Sequence, residues 1–163
     1  MFPDDIQALA QQVIEAAAEH GHRIATAESC TGGLVAGALT AIAGSSAVVE
    51  RGFVTYSNAA KTGMLDVPEV LIAVEGAVSE SVAVAMAEGA IARSDATMSV
   101  SVTGIAGPGG GSPDKPVGLV HFAAIGPQGR LHVERRFGDP GREVIRLESV
   151  RVALRLLLKQ IGG

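Results

Sequence analysis

The amino-acid sequence predicts an α/β protein: a three-layer α/β/α sandwich around a mostly parallel sheet with at least one antiparallel strand. Three observations lead there. Helix-like and strand-like runs alternate through the first two thirds of the chain. Two strand-like runs then flank the short turn Gly126-Pro127-Gln128-Gly129, as in a hairpin. A long amphipathic run follows, able to cover one face of the sheet.

Ile6, Leu9, Ala10, Val13, Ile14 and Ala17 recur at helical spacing, with Asp4 or Asp5 expected to cap this helix and Gly21 to end it. The first strand is expected near Arg23 to Ala27, and a helix from about Thr31 to Ala43. Gly44-Ser45-Ser46 breaks the chain before a second strand, Val48 to Tyr56. Asn58 to Leu65 reads as a short helix, and Val67-Pro68 starts another. Ser79-x-x-Val82 opens an Ala-rich helix ending near Ser94, whose face over Ala83 to Ala92 is expected to pack between subunits of a homo-oligomer. Ala96 to Thr103 alternates small and apolar residues, as a buried strand can. Gly104 to Pro116 is a glycine- and proline-rich loop. Val117 to Ile125 and Arg130 to Phe137 form the hairpin. The last helix, about Gly141 to Gln160, carries Val144, Leu147, Val150, Leu154, Leu157 and Ile161 on one side, with Asp139 as its expected cap.

Composition narrows the function classes. The 163 residues are most simply one domain, 1–163, with a sizeable core. A 47% hydrophobic share against 18% charged excludes a disordered chain. The net charge of −4 argues against a nucleic-acid surface, and 3% aromatics leave little for a stacking platform. A single cysteine, Cys30, permits no intrachain disulfide, so the reducing cytoplasm is the expected compartment. No uninterrupted apolar run is long enough to span a bilayer, no basic n-region marks a secretory signal, and the first helix is expected to pack on the sheet rather than on a membrane.

In open α/β sheets ligands bind beyond the carboxyl ends of the parallel strands. The first strand delivers Glu28-Ser29-Cys30-Thr31-Gly32-Gly33 to that edge, the second Tyr56-Ser57-Asn58, and the third Thr103 with the glycine loop. Helix N-terminal N–H groups lack partners within the helix and attract developing negative charge, so a nucleophile at such a turn meets ready-made oxyanion stabilisation. Ser29 needs a base. His20 and His22 precede the first strand at the opposite end of the sheet, and His121 and His132 fall within the hairpin, which leaves Lys61, one helical turn past the second strand. A lysine desolvated in a pocket can lose its proton readily enough to act as that base. Tyr56, the only tyrosine, is a candidate proton relay. Two alternatives stay open: Cys30 as the nucleophile, because helix N-termini favour thiolates, and a structural role in which Ser29 or Thr31 caps a helix and Lys61 is a solvated charge.

The run Thr103-Gly104-Ile105-Ala106-Gly107-Pro108-Gly109-Gly110-Gly111-Ser112 can converge N–H groups on an anion, with Lys115 adding charge. It is not a Walker A loop, having no Gly-Lys-Ser/Thr, and fits a dinucleotide fingerprint poorly, since a strand follows it. Arg142 and Arg146, one turn apart, can clamp a phosphate or carboxylate or remain a solvated face. His20-x-His22 lacks a third ligand at metal-site spacing, and no metal or cofactor is expected. Substrate contacts are therefore expected from Glu28, Cys30, Thr31, Gly32 and Asn58 on the first two strand ends. Thr103, Gly104, Gly107, Gly109 and Gly110 of the loop and Arg142 of the last helix complete the expected set.

Four blocks in order, Thr26 to Gly33, Gly52 to Asn58 with Lys61, Gly76 to Ser79, and Thr103 to Gly111 with Lys115 to Gly118, resemble the CinA C-terminal-domain family over nearly the whole chain. The resemblance implies a five-stranded mixed sheet of order 2-1-3-4-5 with strand four antiparallel. It is to the form without the N-terminal domain of longer CinA proteins. It also implies hydrolysis of nicotinamide mononucleotide to nicotinate mononucleotide and ammonia, with Ser29 as nucleophile and Tyr56 and Lys61 as its activating partners. Two further function classes remain beside it, a non-catalytic nucleotide-binding sensor and a partner-binding domain of competence or repair proteins.

Overall fold

Five strands lie in the order β2-β1-β3-β4-β5 in the computed structural model, which describes residues 1–162. They are β1 (Ile24–Glu28), β2 (Val49–Val54), β3 (Met98–Gly104), β4 (Leu119–Gly126) and β5 (Gly129–Arg136). β2, β1 and β3 run parallel, and β4 is antiparallel to both β3 and β5. The helices are α1 (Asp4–Glu19), α2 (Leu34–Thr40), α3 (Asn58–Leu65), α4 (Glu69–Glu75), α5 (Glu80–Ala92) and α6 (Arg142–Gly162). The expected α/β/α sandwich and strand order are those observed.

Side-chain alternation along the strands divides the core. Met98, Val100 and Val102 of β3 and Val120, Phe122 and Ala124 of β4 join the cluster formed with α1, α2 and α6. The opposite face of β3 carries Ser99 and Ser101, whose hydroxyls donate to Ala87 O (2.7 Å) and Ala83 O (2.5 Å) of α5. Small polar residues here let α5 lie close to the sheet, and their buried hydroxyls find acceptors in its carbonyls. Ala83, Ala87 and Ala90 are fully buried within the chain, so these alanines, expected to face another subunit, pack internally instead. Ala25, Ala27, Leu65, Val67 and Met86 fill the space between β1, α3 and α5.

Local chemistry explains several boundaries. The Ser57 and Ser79 side chains accept from Ala60 N (3.0 Å) and Val82 N (3.3 Å), capping α3 and α5. Asp4 and Asp5 do not cap α1. Pro3 precedes it, the acids occupy its first turn, and Asp5 pairs with Arg151. On α6, Ile145 is fully buried and Val144 is exposed, one position off the expected face, and Asp139 stands three residues ahead of the helix. Gly118 closes the glycine loop onto β4 with φ +92°. A Cβ there would stand 2.0 Å from Gly138 O, a backbone-on-backbone approach only glycine permits. Among the described residues no helix is long and apolar enough to cross a membrane.

Candidate functional site

β1 ends at Glu28, and the chain turns through residues 29–33 before α2 begins at Leu34, three residues later than expected. Glu28 sets this turn. It is 1% exposed, and its oxygens accept from Thr31 Oγ1 (2.6 Å), Val35 N (2.8 Å) and Ala36 N (3.0 Å). These bonds satisfy the first N–H groups of α2 at the positive end of its dipole. Glu28 and Thr31, expected as substrate contacts, thus hold each other and the helix start.

Strand alternation carries past β1. Ala25 and Ala27 face α3 and α5, Ser29 follows on that side, and Cys30 packs into the opposite cluster with α1 and α6. Burial pushes the Cys30 thiol up to about 12, so it carries no thiolate at neutral pH. Ser29 instead meets Lys61, which α3 brings over the end of β1. Lys61 Nζ donates to Ser29 Oγ at 3.1 Å and to Thr55 O at 3.0 Å. Lys61 is 1% exposed, and burial moves its ammonium below the usual lysine value. The protonated thiol nearby offers no charge to oppose that shift.

Tyr56 is placed differently. It is 60% exposed, and its hydroxyl accepts from Arg142 Nη2 at 3.0 Å. Among the described residues no hydrogen bond joins it to Ser29 or Lys61. Arg142 also donates to Gly107 O at 2.8 Å, bridging α6, the glycine loop and the end of β2. Arg146 does not share this target. Its Nε and Nη2 donate to Cys30 O (3.1 Å) and Thr31 O (3.2 Å), so the two arginines diverge rather than form one clamp. Asn58 stands exposed at the start of α3.

The glycine loop is anchored at its ends. Ile105 N donates to Leu119 O, Gly118 N to Ile105 O, and Ser112 N to Lys115 O. Among the described residues the N–H groups of Ala106, Gly107, Gly109, Gly110 and Gly111 have no acceptor within the protein, which leaves a set of free donors at the sheet edge. Thr103 and Gly104 are not part of that set. Thr103 is 1% exposed and donates to Ala77 O at 2.8 Å, and a Cβ at Gly104 would stand 2.6 Å from Val120 Cγ2. Both serve packing. Lys115 Nζ donates to Glu75 O at 2.5 Å, tying the loop to the end of α4.

What sequence reasoning missed acts through main-chain atoms: Thr55, whose carbonyl holds Lys61, and the Cys30 and Thr31 carbonyls, which hold Arg146. No residue-type pattern signals such contacts. His20 and His22 bond Ala16 O and Thr97 Oγ1. A groove of about 830 Å³ lies between α3, α4 and α5, lined by Leu65, Leu71, Glu75, Glu80, Val84 and Glu88. It is lined by none of the site residues the sequence predicts, and the paired Ser29 and Lys61 side chains carry more chemical information than its volume.

Fold and site define an α/β/α protein with a buried serine–lysine pair at the carboxyl edge of a mixed sheet. The chain belongs to the CinA family, whose C-terminal domain profile matches residues 6–161. Nicotinamide-nucleotide amidohydrolase PncC of Pseudomonas putida is 50% identical over 159 residues, covering 98% of each chain. The protein of that name from Escherichia coli K12 is 47% identical over 160 residues, covering 98% of this chain and 97% of that one. A CinA-like protein of Synechococcus sp. RCC307 is 52% identical over 161 residues but is matched over only 39% of its own length. The chain thus spans about two fifths of such longer relatives. Among solved structures, the competence/damage inducible protein CihA from Agrobacterium tumefaciens superposes with a TM-score of 0.96 at 56% identity, covering 98% of both chains.

Proposed function

We propose that this protein hydrolyses the carboxamide of nicotinamide mononucleotide, releasing ammonia and nicotinate mononucleotide, with Ser29 as nucleophile and Lys61 as its base. One observation carries the reading: two buried side chains, a hydroxyl and an amine held below its usual pKa, stand 3.1 Å apart at a sheet edge that also offers free N–H donors. The names of the two full-length relatives supply the substrate class.

The pyridinium withdraws electrons from the carboxamide and makes its carbon electrophilic. Ser29 Oγ attacks that carbon while its proton passes to neutral Lys61 Nζ. Thr55 O holds one Lys61 N–H and aims the lone pair at Ser29. The oxyanion forms near the turn after β1. Gly32 N is already taken by Ser29 O, so the Cys30 and Thr31 N–H groups are its donors. Lys61 then returns the proton to the departing nitrogen, the C–N bond breaks, and ammonia leaves an acyl ester on Ser29. Water attacks the ester and gives a proton to Lys61. Ser29 departs with that proton, and the carboxylate product is released. The free N–H groups of Gly107, Gly109 and Gly110 meet phosphate or ribose oxygens. Arg142 and Tyr56, bonded to each other in this structure, separate when the ligand anion takes the guanidinium, which frees the phenol to join the Ser29–Lys61 pair.

Incubating the protein with nicotinamide mononucleotide tests this. Equal amounts of ammonia and nicotinate mononucleotide are expected, with Ser29→Ala binding the nucleotide but not turning it over. Binding by the unaltered protein without ammonia release would assign a sensor instead.

A further inference from the structure

Arg146 is part-buried on α6, more than a hundred residues from the turn it touches. Among the described residues no carboxylate pairs with it, unlike Arg51, Arg93, Arg130 and Arg151. Its donors go to two consecutive main-chain carbonyls, Cys30 O and Thr31 O. Gly32, left-handed at φ +57°, lies against the guanidinium, where a Cβ would make ordinary contact with Arg146 Nη2 at 3.4 Å. The arginine stands beside Leu34, Glu143 and Leu147, on the helical layer into which Cys30 packs and behind the layer that Ser29 faces.

Peptide geometry turns this contact into a functional one. A trans peptide points its N–H opposite to its C=O. Fixing Thr31 O therefore fixes Gly32 N–H, which donates to Ser29 O at 3.0 Å and closes the turn. Fixing Cys30 O fixes Thr31 N–H on the side away from the guanidinium, and among the described residues that N–H has no acceptor. A cation on the carbonyl also polarises the peptide and makes its N–H a stronger donor.

We infer that Arg146 is a positioning residue for the oxyanion site: it holds the Cys30–Thr31 peptide from behind so that Thr31 N–H points at the carbonyl oxygen of a substrate attacked by Ser29. The inference rests on the amidohydrolase reading for its substrate and on coordinates alone for its geometry. Arg146 touches no reacting atom. It stabilises charge that exists only in the transition state, so it acts on kcat rather than on ground-state binding.

Arg146→Met, Arg146→Lys and Arg146→Ala are assayed for ammonia release from nicotinamide mononucleotide, with folding checked by thermal unfolding. Losing an aligned oxyanion donor removes about 10²–10³ in kcat. Arg146→Met should therefore lose about 100-fold in kcat with KM changed less than about threefold. Arg146→Lys, which can hold only one carbonyl, should fall between the two, and added guanidinium should restore part of the Arg146→Ala rate. A folded Arg146→Met with full kcat, or one whose KM rises while kcat stands, overturns the inference. So does an Arg146→Lys enzyme with full kcat if the Met variant does not fold. If the unaltered protein releases no ammonia, the substrate reading fails, and a fluorophosphonate that labels Ser29 through its own phosphoryl oxygen decides the geometry. Labelling slowed about tenfold or more in the Arg146 variants upholds the positioning role, and unchanged or absent labelling ends it.

Discussion

Replacing Lys61 separates its charge from its basicity. The 3.1 Å bond to Ser29 Oγ is direct, and among the described residues no other titratable side chain bonds that hydroxyl. With Lys61 gone, no amine base remains beside Ser29 to take the proton. A positioned base contributes about 10²–10⁴ in rate. The direct contact and the burial of both groups place the expected loss near the middle, about 10³ in kcat, or about 4 kcal/mol of activation free energy. Lys61→Met removes amine and charge together. Lys61→Arg keeps a cation, but a guanidinium stays protonated throughout the accessible pH range and cannot accept the Ser29 proton. Both variants should fall by about 10³ in an ammonia-release assay, with KM changed modestly. The unaltered enzyme should gain rate as pH rises through the Lys61 pKa, at a pH below the ordinary lysine value because burial disfavours the ammonium. The same shift has a stability sign. The unfolded lysine binds its proton more tightly than the folded one, so raising the pH from the folded toward the unfolded pKa should stabilise the unaltered protein relative to Lys61→Met. A Lys61→Arg enzyme retaining more than about a tenth of the rate would refute the base assignment.

Three further outcomes follow from the packing. Gly118→Ala sets a Cβ against Gly138 O at a left-handed φ, and should destabilise the protein by about 3 kcal/mol or more in urea unfolding; a variant of unchanged stability contradicts that packing. His121 is buried at 8% exposure, with its Nδ1 2.9 Å from His132 Nε2 and with Glu134, Glu80 and Lys115 facing the pair. Burial and then His132 hold its pKa below the usual value, so the unfolded chain takes up the proton first as pH falls below about 6.5, and stability should drop there. His121→Gln should flatten that fall in the urea midpoint, and an equally steep fall would locate the titrating group elsewhere. Thr26 Oγ1 is buried and has no hydrogen-bond partner among the described residues, so Thr26→Val should raise stability by about 1 kcal/mol, read as a higher midpoint.

Much of the fold was legible because local signals agreed with tertiary packing. Asn58–Leu65 is the short helix the sequence predicts, with Ser57 capping it, and the hairpin turns where Gly126 to Gly129 direct it. The pairing of Ser29 with Lys61 was legible because both follow parallel strands and so reach one edge. Side-chain direction near that edge was harder to read. Glu28 and Thr103 sit at strand ends, yet one builds the α2 start and the other satisfies Ala77 O. Cys30 falls on the opposite face from Ser29, as alternation along an extended chain requires, but its burial depends on α1 and α6, formed by distant sequence. Arg146 finds carbonyls rather than an anion because the backbone path after β1, with its left-handed Gly32 and Gly33, exposes them.

Ammonia release measured side by side for Ser29→Ala and Cys30→Ala tests the central assignment most directly. The buried thiol faces the core and holds its proton, so Cys30→Ala should keep kcat within about threefold, whereas Ser29→Ala should fall by about 10³ or more. Turnover lost in Cys30→Ala and retained in Ser29→Ala would contradict the account.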